Sequence, residues 1–442
     1  MEALLTRSEG LLHDNLGVTE DGVLTVAGQR VTDLRETYGT PLYLMDEDKI
    51  RSKCRTYLTA VKQAFGDRAR VLYASKALSF KRIYEIMREE GMGIDVVSSG
   101  EIATAKAAGY PMERAFFHSN NKTDADIAYA MDAGVGYFVV DNEEELYAIE
   151  RIATARECSQ SVLLRITPGI DPHTYAAVAT GKVDSKFGSA IETGQAEAIT
   201  AVALSLAHVR LCGFHCHVGS QVFDSEVYLK AADVMLGFLA AMQKKLGYTA
   251  DILDLGGGYG VRYVESDPQL DIAANIAALA ETIKERAAAY GVRLPEFAFE
   301  PGRSIVADAG VTLYTVGTVK RIPGYKNYVS VDGGMTDSPR YILYGSRYTL
   351  LPADRMHDAR DMTASVVGRC CESGDIIQEN VPMPETIARG DLIATLTTGA
   401  YHYSMASNYN RIPRPPIVML RDGESYVAVR RETVEDILAC DL

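Results

Sequence analysis

The stretch VLYASKALSFKRIYEIMREEGMGIDVV, residues 71–97, holds one complete strand–helix–strand unit and decides the fold. VLYAS (71–75) and GIDVV (93–97) are short apolar runs, which is typical of buried strands. KRIYEIMREEG, which lies between them, has apolar residues at helical spacing and ends in glycine. A helix between two buried strands indicates a parallel strand pair joined by a crossover helix.

The same alternation of strand and helix patterns continues to about residue 300. Six more candidate strands follow: AFFHS (115–119), YFVV (137–140), VLLRITP (162–168), VRLCGFHCHV (209–218), DILDL (251–255) and EFAFE (296–300). Eight strands with seven visible helices between them predict a parallel sheet closed into an α/β (β/α)8 barrel of the TIM type. An open doubly wound sheet is the alternative, and counting strands does not separate the two.

After residue 305 the sequence no longer alternates between strand and helix patterns. Segments such as GVTLYTVGTVKRI (310–322) are β-rich and separated by turn residues, and DGVLTVAGQRV (21–31) has the pattern of a hairpin. We therefore expect a barrel domain over residues 38–305. Residues 1–37 and 306–442 are expected to form a β-sandwich or Greek-key-like domain.

Composition limits the classes of function. The net charge of the 442 residues is -14 and there is no long basic run, which argues against a nucleic-acid or anionic-membrane partner. Seven scattered cysteines, an odd number, are typical of a reducing compartment. The N-terminus has no signal-peptide pattern, and no apolar run approaches the ~20 residues of a membrane span. We expect a cytoplasmic protein.

Lys76 follows the first candidate strand, at the end where barrel enzymes keep their active sites. One interpretation is a lysine that extends its amine from a strand end into water. The other is a lysine in a dry barrel mouth that forms a Schiff base. A Schiff-base lysine usually means a carbonyl substrate or pyridoxal phosphate, so the second interpretation predicts a phosphate site elsewhere in the chain.

The sequence DLGGGYG (254–260) is the candidate phosphate site. Gly256, Gly257 and Gly258 let the backbone approach an anion closely, and loops after the seventh and eighth strands of such barrels often bind phosphate. Triple glycine also occurs in ordinary turns. The segment is not GxGxxG and no Walker lysine follows, so it does not indicate a nucleotide.

EPGR (300–303) ends the eighth candidate strand. Glu300 could pair with a protonated ring nitrogen of pyridoxal, and Arg303 could bind a carboxylate through two hydrogen bonds. A Glu300–Arg303 ion pair at a domain junction is the alternative.

GFHCHVGSQ (213–221) follows the sixth candidate strand. His215 and His217 could bind zinc, but the segment offers no third ligand nearby. An imidazole stacked on an aromatic cofactor, with Ser220 at its phosphate, is the other interpretation, and His215 could also be a core histidine.

GRCCESGD (368–375) lies in the β-rich part. A thiol beside Glu372 and Asp375 keeps its proton, since nearby negative charge opposes its ionisation, and this favours a proton donor over a nucleophile. A buried structural cysteine is the alternative, above all for Cys370.

An ordered set of motifs is more specific than any single one: YASKA, DVVSSGE, TGKVDSKFG, HVGSQ, GGGYG, EPGR, VDGGMTDSPRYILYGSRY, CESGD and TGAYHYSMASNYN. Over nearly the whole chain this set resembles the barrel-fold (fold type III) family of pyridoxal-phosphate amino-acid decarboxylases, and within it the diaminopimelate decarboxylases. One departure is Gly368–Arg369, where the family usually has glycine and proline.

The resemblance implies pyridoxal 5'-phosphate as cofactor and no metal. Lys76 would carry the cofactor, His217 would stack on its ring, and Glu300 would pair with the ring nitrogen. The phosphate end would be held by a larger set: Ser220, Gly257, Gly258, Gly302, Arg303 and Tyr401.

The resemblance also implies how the substrate would be held. Arg303, Arg340 and Tyr344 would bind its distal carboxylate, with Tyr401 nearby, and Glu372 would bind its distal amine. Cys371 would return a proton after carbon dioxide departs. In this family the counterparts of Cys371 and Glu372 reach the cofactor of the second subunit, so a homodimer with shared active sites is implied.

A far end that carries both an amine and a carboxylate fits meso-2,6-diaminopimelate, which would give L-lysine and CO2. Three other hypotheses stay open. The first is a related decarboxylase of ornithine, arginine or carboxynorspermidine. The second is a catalytically dead regulator of a true decarboxylase. The third is a metal-dependent barrel enzyme that uses His215 and His217.

Overall fold

The computed structural model describes residues 11–171 and 184–442. The first ten residues of the predicted segment 1–37, and the TGKV that opens the motif at 180–188, lie outside the described residues.

Within these residues the chain forms short strands throughout its length. In chain order they are β1 Leu16–Val18, β2 Leu24–Val26, β3 Gln29–Arg30, β4 Leu42–Asp46, β5 Ala69–Ala74, β6 Gly93–Val96, β7 Ala115–Phe117, β8 Tyr137–Val140, β9 Gln160–Thr167, β10 Ser189–Ala190, β11 Val209–His215, β12 Ile252–Asp254, β13 Glu296–Phe299, β14 Gly310–Ile322, β15 Lys326–Val331, β16 Leu350–Pro352, β17 Met362–Val367, β18 Ile376–Met383, β19 Leu392–Leu396, β20 Ile417–Arg421 and β21 Glu424–Val429.

The helices are concentrated between residues 47 and 306. In chain order the α-helices are α1 Val31–Tyr38, α2 Glu47–Phe65, α3 Lys81–Glu90, α4 Ser99–Ala107, α5 Asp124–Asp132, α6 Glu143–Ala155, α7 Gln195–Ser205, α8 Glu226–Leu246, α9 Ile272–Tyr290, α10 Arg303–Val306, α11 Arg340–Tyr344 and α12 Val434–Leu438.

The chain divides into two compact units. The barrel unit comprises Lys53–Gly260 and Gln269–Ser304. The β-rich unit comprises the residues up to Ser52 together with Val261–Pro268 and Ile305–Leu442. The domain boundaries predicted at residues 38 and 305 remain a prediction.

The barrel unit contains all eight strands that the sequence predicts. Parallel pairing runs in the order β9, β11, β12, β13, β5, β6, β7 and β8, and β8 pairs again with β9. This last pairing closes the ring, so the barrel prediction is confirmed and the open sheet is excluded. Apolar side chains such as Leu72, Phe116 and Leu163 fill the interior. Closure of a parallel ring brings the carboxyl ends of all eight strands to one rim, the barrel mouth.

The helix predicted after the first strand illustrates how these units form. Helix α3 buries Ile83, Tyr84, Ile86 and Met87, which lie at helical spacing on one face. It ends at Gly91, whose φ of 82° is a left-handed conformation that glycine adopts without strain.

The β-rich unit is built around β14. Its first half pairs with β4 and β19, and its second half pairs with β15, within a nine-stranded sheet that also contains β16, β17, β18, β20 and β21. The N-terminal strands β1–β3 form a three-stranded sheet. Leu24 and Val26 belong to the same hydrophobic cluster as Val311 and Leu313, so the N-terminal segment joins this unit as expected.

The predicted N-terminal hairpin is present as β2 and β3, which pair in antiparallel fashion. Its turn residues Ala27 and Gly28 have φ values of 48° and 77°. Two positive φ values in a two-residue turn match the twist of the flanking strands.

In the described ranges, every helix is either too short or too polar to cross a lipid bilayer.

Candidate active site

Polar side chains collect at the barrel mouth, within or just after the ends of six strands: Asp95 in β6, His118 after β7, Arg165 in β9, His215 in β11, Asp254 in β12 and Glu300 after β13. Apolar neighbours precede each of them along the strand. Because the strand ends meet at one rim, these side chains face a common space.

Glu300 lies at the centre of this group. Nε2 of His118 is 2.7 Å from Oε1 of Glu300, and Nε2 of His215 is 3.2 Å from Oε2. All three side chains are buried, and the two imidazole rings contact each other edge to face with centroids 4.8 Å apart. Each oxygen of the carboxylate therefore has its own imidazole.

The electrostatics of the mouth place the negative charge on Glu300. Burial by itself would raise the pKa of Glu300, but His118 and His215 hold it well below its usual range. Burial, reinforced by the charge of Glu300, raises the pKa of Asp254 well above its usual range. Burial also raises the pKa of Asp95 to about 6. The surroundings thus favour the ionised form of Glu300 and disfavour that of Asp254.

Lys76 lies in a 3₁₀ turn, Ser75–Ala77, directly after β5. The Ala74 N–H donates to the carbonyl of Pro301 at 3.2 Å. A Cβ on Gly302 would lie only 2.8 Å from the Cβ of Ala74, so glycine allows the two segments to touch. The turn carrying Lys76 is therefore fixed against the loop that carries Gly302.

The side chain of Lys76 is exposed, which contradicts the expectation of a dry barrel mouth around its amine. The physical reason is the 3₁₀ turn, which carries the residue past the end of the buried strand. The amine charge still acts on the mouth, since it lowers the pKa values of Asp95 and Glu101 against the rise that their burial causes.

The glycine loop after β12 is tightly packed. A Cβ on Gly257 would lie 2.0 Å from the carbonyl oxygen of Glu300, and one on Gly258 would lie 2.0 Å from that of Gly219. Gly258 has a φ of 109°, a region that favours glycine. The Gly257 N–H donates to Nδ1 of His217 at 3.3 Å. Glycine is thus required for this close approach of loops.

Ser220 and Arg303 are brought together beside that loop. Nη2 and Nε of Arg303 donate to Oγ of Ser220 at 2.9 and 3.2 Å. The Val222 N–H donates to the Gly258 carbonyl at 3.0 Å, which ties the segment of Ser220 to the glycine loop. A guanidinium, a hydroxyl and a glycine backbone are the donor types that hold phosphate.

His217 is a neutral imidazole in this setting. Burial lowers its pKa well below the usual range, and the charge of Lys76 lowers it further. An uncharged ring can lie against a cationic aromatic ring without electrostatic repulsion. The donor set of the mouth therefore fits pyridoxal phosphate: an amine, a neutral ring, a buried ionised carboxylate and a glycine-rich anion loop.

The metal hypothesis requires a correction of its ligands. Among the described residues, the one group of metal-ligand type is His118, His215 and Glu300, whose ligand atoms lie within 4.8 Å of one another. His215 of the predicted pair belongs to this group, whereas His217 does not.

In the β-rich unit, Arg340, Tyr344 and Tyr401 are brought together. The guanidinium carbon of Arg340 is 5.0 Å from the ring centre of Tyr344 and 5.2 Å from that of Tyr401. Nε of Arg340 donates to the hydroxyl of Tyr348 at 3.0 Å, and Arg340 is only 7% exposed. Three tyrosines thus fix a buried guanidinium, which suits recognition of a carboxylate.

Cys371 and Glu372 lie on a separate loop of the same unit, between β17 and β18, and both are exposed. The Cys371 N–H donates to Oδ1 of Asn410 at 2.8 Å. Asp375 accepts the Cys370 N–H at 2.7 Å and the Met335 N–H at 2.6 Å, so it shapes the loop.

The two adjacent cysteines differ in their surroundings. Cys370 is half-buried, and burial followed by the charge of Asp375 raises its pKa to about 12.

The departure from the family pattern at Arg369 also has a structural explanation, because the Arg369 N–H donates to the Gly333 carbonyl at 3.0 Å. A proline could not make this bond.

Sequence reasoning missed Asp95, His118, Arg165 and Asp254 as members of the barrel mouth. A signal for them does exist, since each is a polar residue at or near the carboxyl end of an apolar barrel strand.

Comparisons with known proteins agree with this site. Residues 47–307 match the family model described as pyridoxal-dependent decarboxylase, pyridoxal binding domain. The diaminopimelate decarboxylase of Bacillus subtilis (strain 168) is 44% identical over 98% of both chains. A structure of diaminopimelate decarboxylase from M. jannaschii in complex with L-lysine has a TM-score of 0.89 at 31% identity, covering 97% of this chain and 98% of that chain.

A more distant solved structure is the lysine/ornithine decarboxylase of Vibrio vulnificus complexed with putrescine. Its TM-score is 0.74 at 25% identity, over 88% of this chain and 97% of that chain. The fold is thus shared across decarboxylases of different amino acids, while the higher identities are to one branch. The chain belongs to the family of pyridoxal-dependent decarboxylases, in the branch of the diaminopimelate decarboxylases.

Proposed function

We propose that this carboxy-lyase converts meso-2,6-diaminopimelate into L-lysine and CO2, the last step of lysine biosynthesis by the diaminopimelate route. The observation that carries the proposal is the buried guanidinium of Arg340, fixed by Tyr344, Tyr348 and Tyr401. A buried arginine needs an anionic partner. The distal carboxylate of diaminopimelate supplies one, whereas ornithine has no such group.

In the barrel unit, Lys76 would hold the cofactor covalently and Glu300 would pair with its ring nitrogen. His217 would lie against the ring. Binding of the phosphate end is assigned to Ser220, Gly257, Gly258, Gly302, Arg303 and Tyr401. When bound, pyridoxal phosphate supplies the electron sink for the pair of electrons that remains when carbon dioxide leaves.

At the substrate end, Arg303, Arg340 and Tyr344 bind the distal carboxylate, with Tyr401 beside it. Glu372 binds the distal amine. Sγ of Cys371 would donate a proton to the carbon that loses its carboxylate, and the proton forms a C–H bond with the electron pair left there.

We further propose a homodimer whose active sites are shared between subunits. The exposure of Cys371 and Glu372 on one loop supports this, because both residues can then reach a second subunit. A cytoplasmic location is supported by the seven free cysteines. The net charge of -14 supports a small-molecule partner rather than nucleic acid.

The test is release of CO2 and formation of L-lysine from meso-diaminopimelate with pyridoxal phosphate added. Ornithine, arginine, carboxynorspermidine and L-lysine are assayed in parallel, and Lys76→Ala is the inactive control. We expect strong and selective turnover of meso-diaminopimelate. Preferred turnover of ornithine or arginine would overturn the substrate assignment, and the fold shared with lysine/ornithine decarboxylase makes this the main alternative.

A further inference from the structure

We propose that His118 and His215 are positioning residues that fix the Glu300 carboxylate for the ring nitrogen of the cofactor. The inference rests on the proposed pairing of Glu300 with that nitrogen. It adds two histidines that would act only through Glu300.

The geometry of the barrel supports the positioning role. Glu300 follows β13, while His118 follows β7 and His215 ends β11. In the closed ring β7 is three strands from β13 on one side, and β11 is two strands away on the other. The two imidazoles thus approach Glu300 from different sides of the mouth. They also contact each other, so neither ring can turn freely.

The hydrogen-bonding capacity of the three residues supports a shared task. Nε2 of His215 is hydrogen-bonded to Oε2 of Glu300 at 3.2 Å, and Nε2 of His118 lies in ion-pair contact with Oε1 at 2.7 Å. Each oxygen keeps a second lone pair for another donor. The carboxylate can therefore accept a hydrogen bond from a ring nitrogen without losing either imidazole.

The placement of charge depends on these donors. Asp254 lies at the end of β12, the neighbour of β13, and its Oδ1 accepts the Gly256 N–H at 2.8 Å. Asp95 is a third buried carboxyl in the mouth, and Arg165 and Lys76 add positive charge. Burial lowers the pKa of His215 to about 4, so it acts as a neutral donor. Of the buried carboxyls, Glu300 is the one that both imidazoles contact, at 2.7 and 3.2 Å.

The experiment compares binding of pyridoxal phosphate with binding of its deaza analogue, which has carbon in place of the ring nitrogen. Apo enzyme is titrated with each compound, and binding is followed by absorbance. We expect the wild type to prefer pyridoxal phosphate. We expect His118→Phe and His215→Phe each to reduce this preference about tenfold or more, the size expected for an interaction with a charged group. His118→Gln and His215→Gln keep an N–H donor and should restore most of it.

His208→Phe is the matched control, since His208 directly precedes the same strand as His215 at its opposite end. An unchanged preference in both phenylalanine variants would overturn the positioning role. Equal weakening for the two compounds would also overturn it, because it would indicate a purely structural role. If a phenylalanine variant does not fold, the shorter His118→Asn or His215→Asn takes its place, because its amide cannot reach Glu300.

Glu300→Gln separates this inference from the proposed function. If that variant keeps the wild-type preference, the pairing of Glu300 with the ring nitrogen is wrong. If it loses the preference while the histidine variants keep it, the pairing holds and only the role of His118 and His215 fails.

Discussion

Replacing Arg340 by lysine tests the assignment of the substrate most directly. The guanidinium is buried, stacks on Tyr344 and Tyr401, and is oriented by the bond from its Nε to Tyr348. Lysine keeps the charge but loses the planar fork that binds a carboxylate through two bonds. A hydrogen bond to a charged group contributes about 1.5–3 kcal/mol, which corresponds to a rise of about tenfold to hundredfold in KM for meso-diaminopimelate.

The assay is steady-state CO2 release, with L-lysine as an inhibitor of the same variant. L-lysine lacks a distal carboxylate, so its inhibition constant should change little. Arg347→Lys is the control, because Arg347 lies exposed in the same segment. If the KM for diaminopimelate and the inhibition constant of L-lysine rise together, or if neither changes, then Arg340 does not bind the distal carboxylate. A melting curve of each variant checks that the loss of a buried guanidinium has not unfolded the protein.

Four further substitutions address the cofactor and the proton donor. Lys76→Ala should give folded protein without the yellow absorbance of covalently bound cofactor, and a yellow, reducible adduct in that variant would contradict its role. Cys371→Ala should keep the cofactor but lose about hundredfold or more in turnover. Cys370→Ala should stay active, because the backbone N–H of residue 370 keeps its bond to Asp375 in that variant. Equal losses would refute this distinction. Gly258→Ala should weaken binding of pyridoxal phosphate in an absorbance titration. The added Cβ would lie 2.0 Å from the Gly219 carbonyl oxygen, at a φ of 109° that favours glycine. Unchanged affinity would exclude that loop as the phosphate site.

The elements of the fold could be predicted because each is encoded locally. The barrel strands are short apolar runs bounded by helical patterns, and the predicted segment 310–322 coincides with β14. Closure of the barrel was predicted from the number of strands, but it could not be established from local patterns. It depends on pairing of β8 with β9, and an open sheet with the same eight strands would have the same local patterns. The extent of the β-rich unit is a similar case, since β4 pairs with β14 more than 260 residues later in the chain.

Some residues of the candidate site could likewise be identified from local motifs, and others could not. Lys76 and Glu300 could be identified because each follows a predicted strand within a short motif. His118 lay in a predicted strand as well, but nothing local to the AFFHS run shows that its ring reaches Glu300, about 180 residues later. That contact exists only because ring closure sets β7 and β13 around one mouth.

The distribution of charge in the mouth shows why the missed residues matter. Three carboxyls, Asp95, Asp254 and Glu300, lie buried in one space, and like charges at such short range cannot all ionise. Burial raises the pKa of Asp95 and of Asp254, yet Glu300, which is equally buried, remains ionised. Burial does not separate the three, so the difference comes from their neighbours, and the charges and hydrogen bonds of His118 and His215 lower the pKa of Glu300. The acid that pairs with a cationic ring nitrogen is therefore determined by the imidazoles that contact it, and a search for such an acid in a related barrel should look for histidines around it.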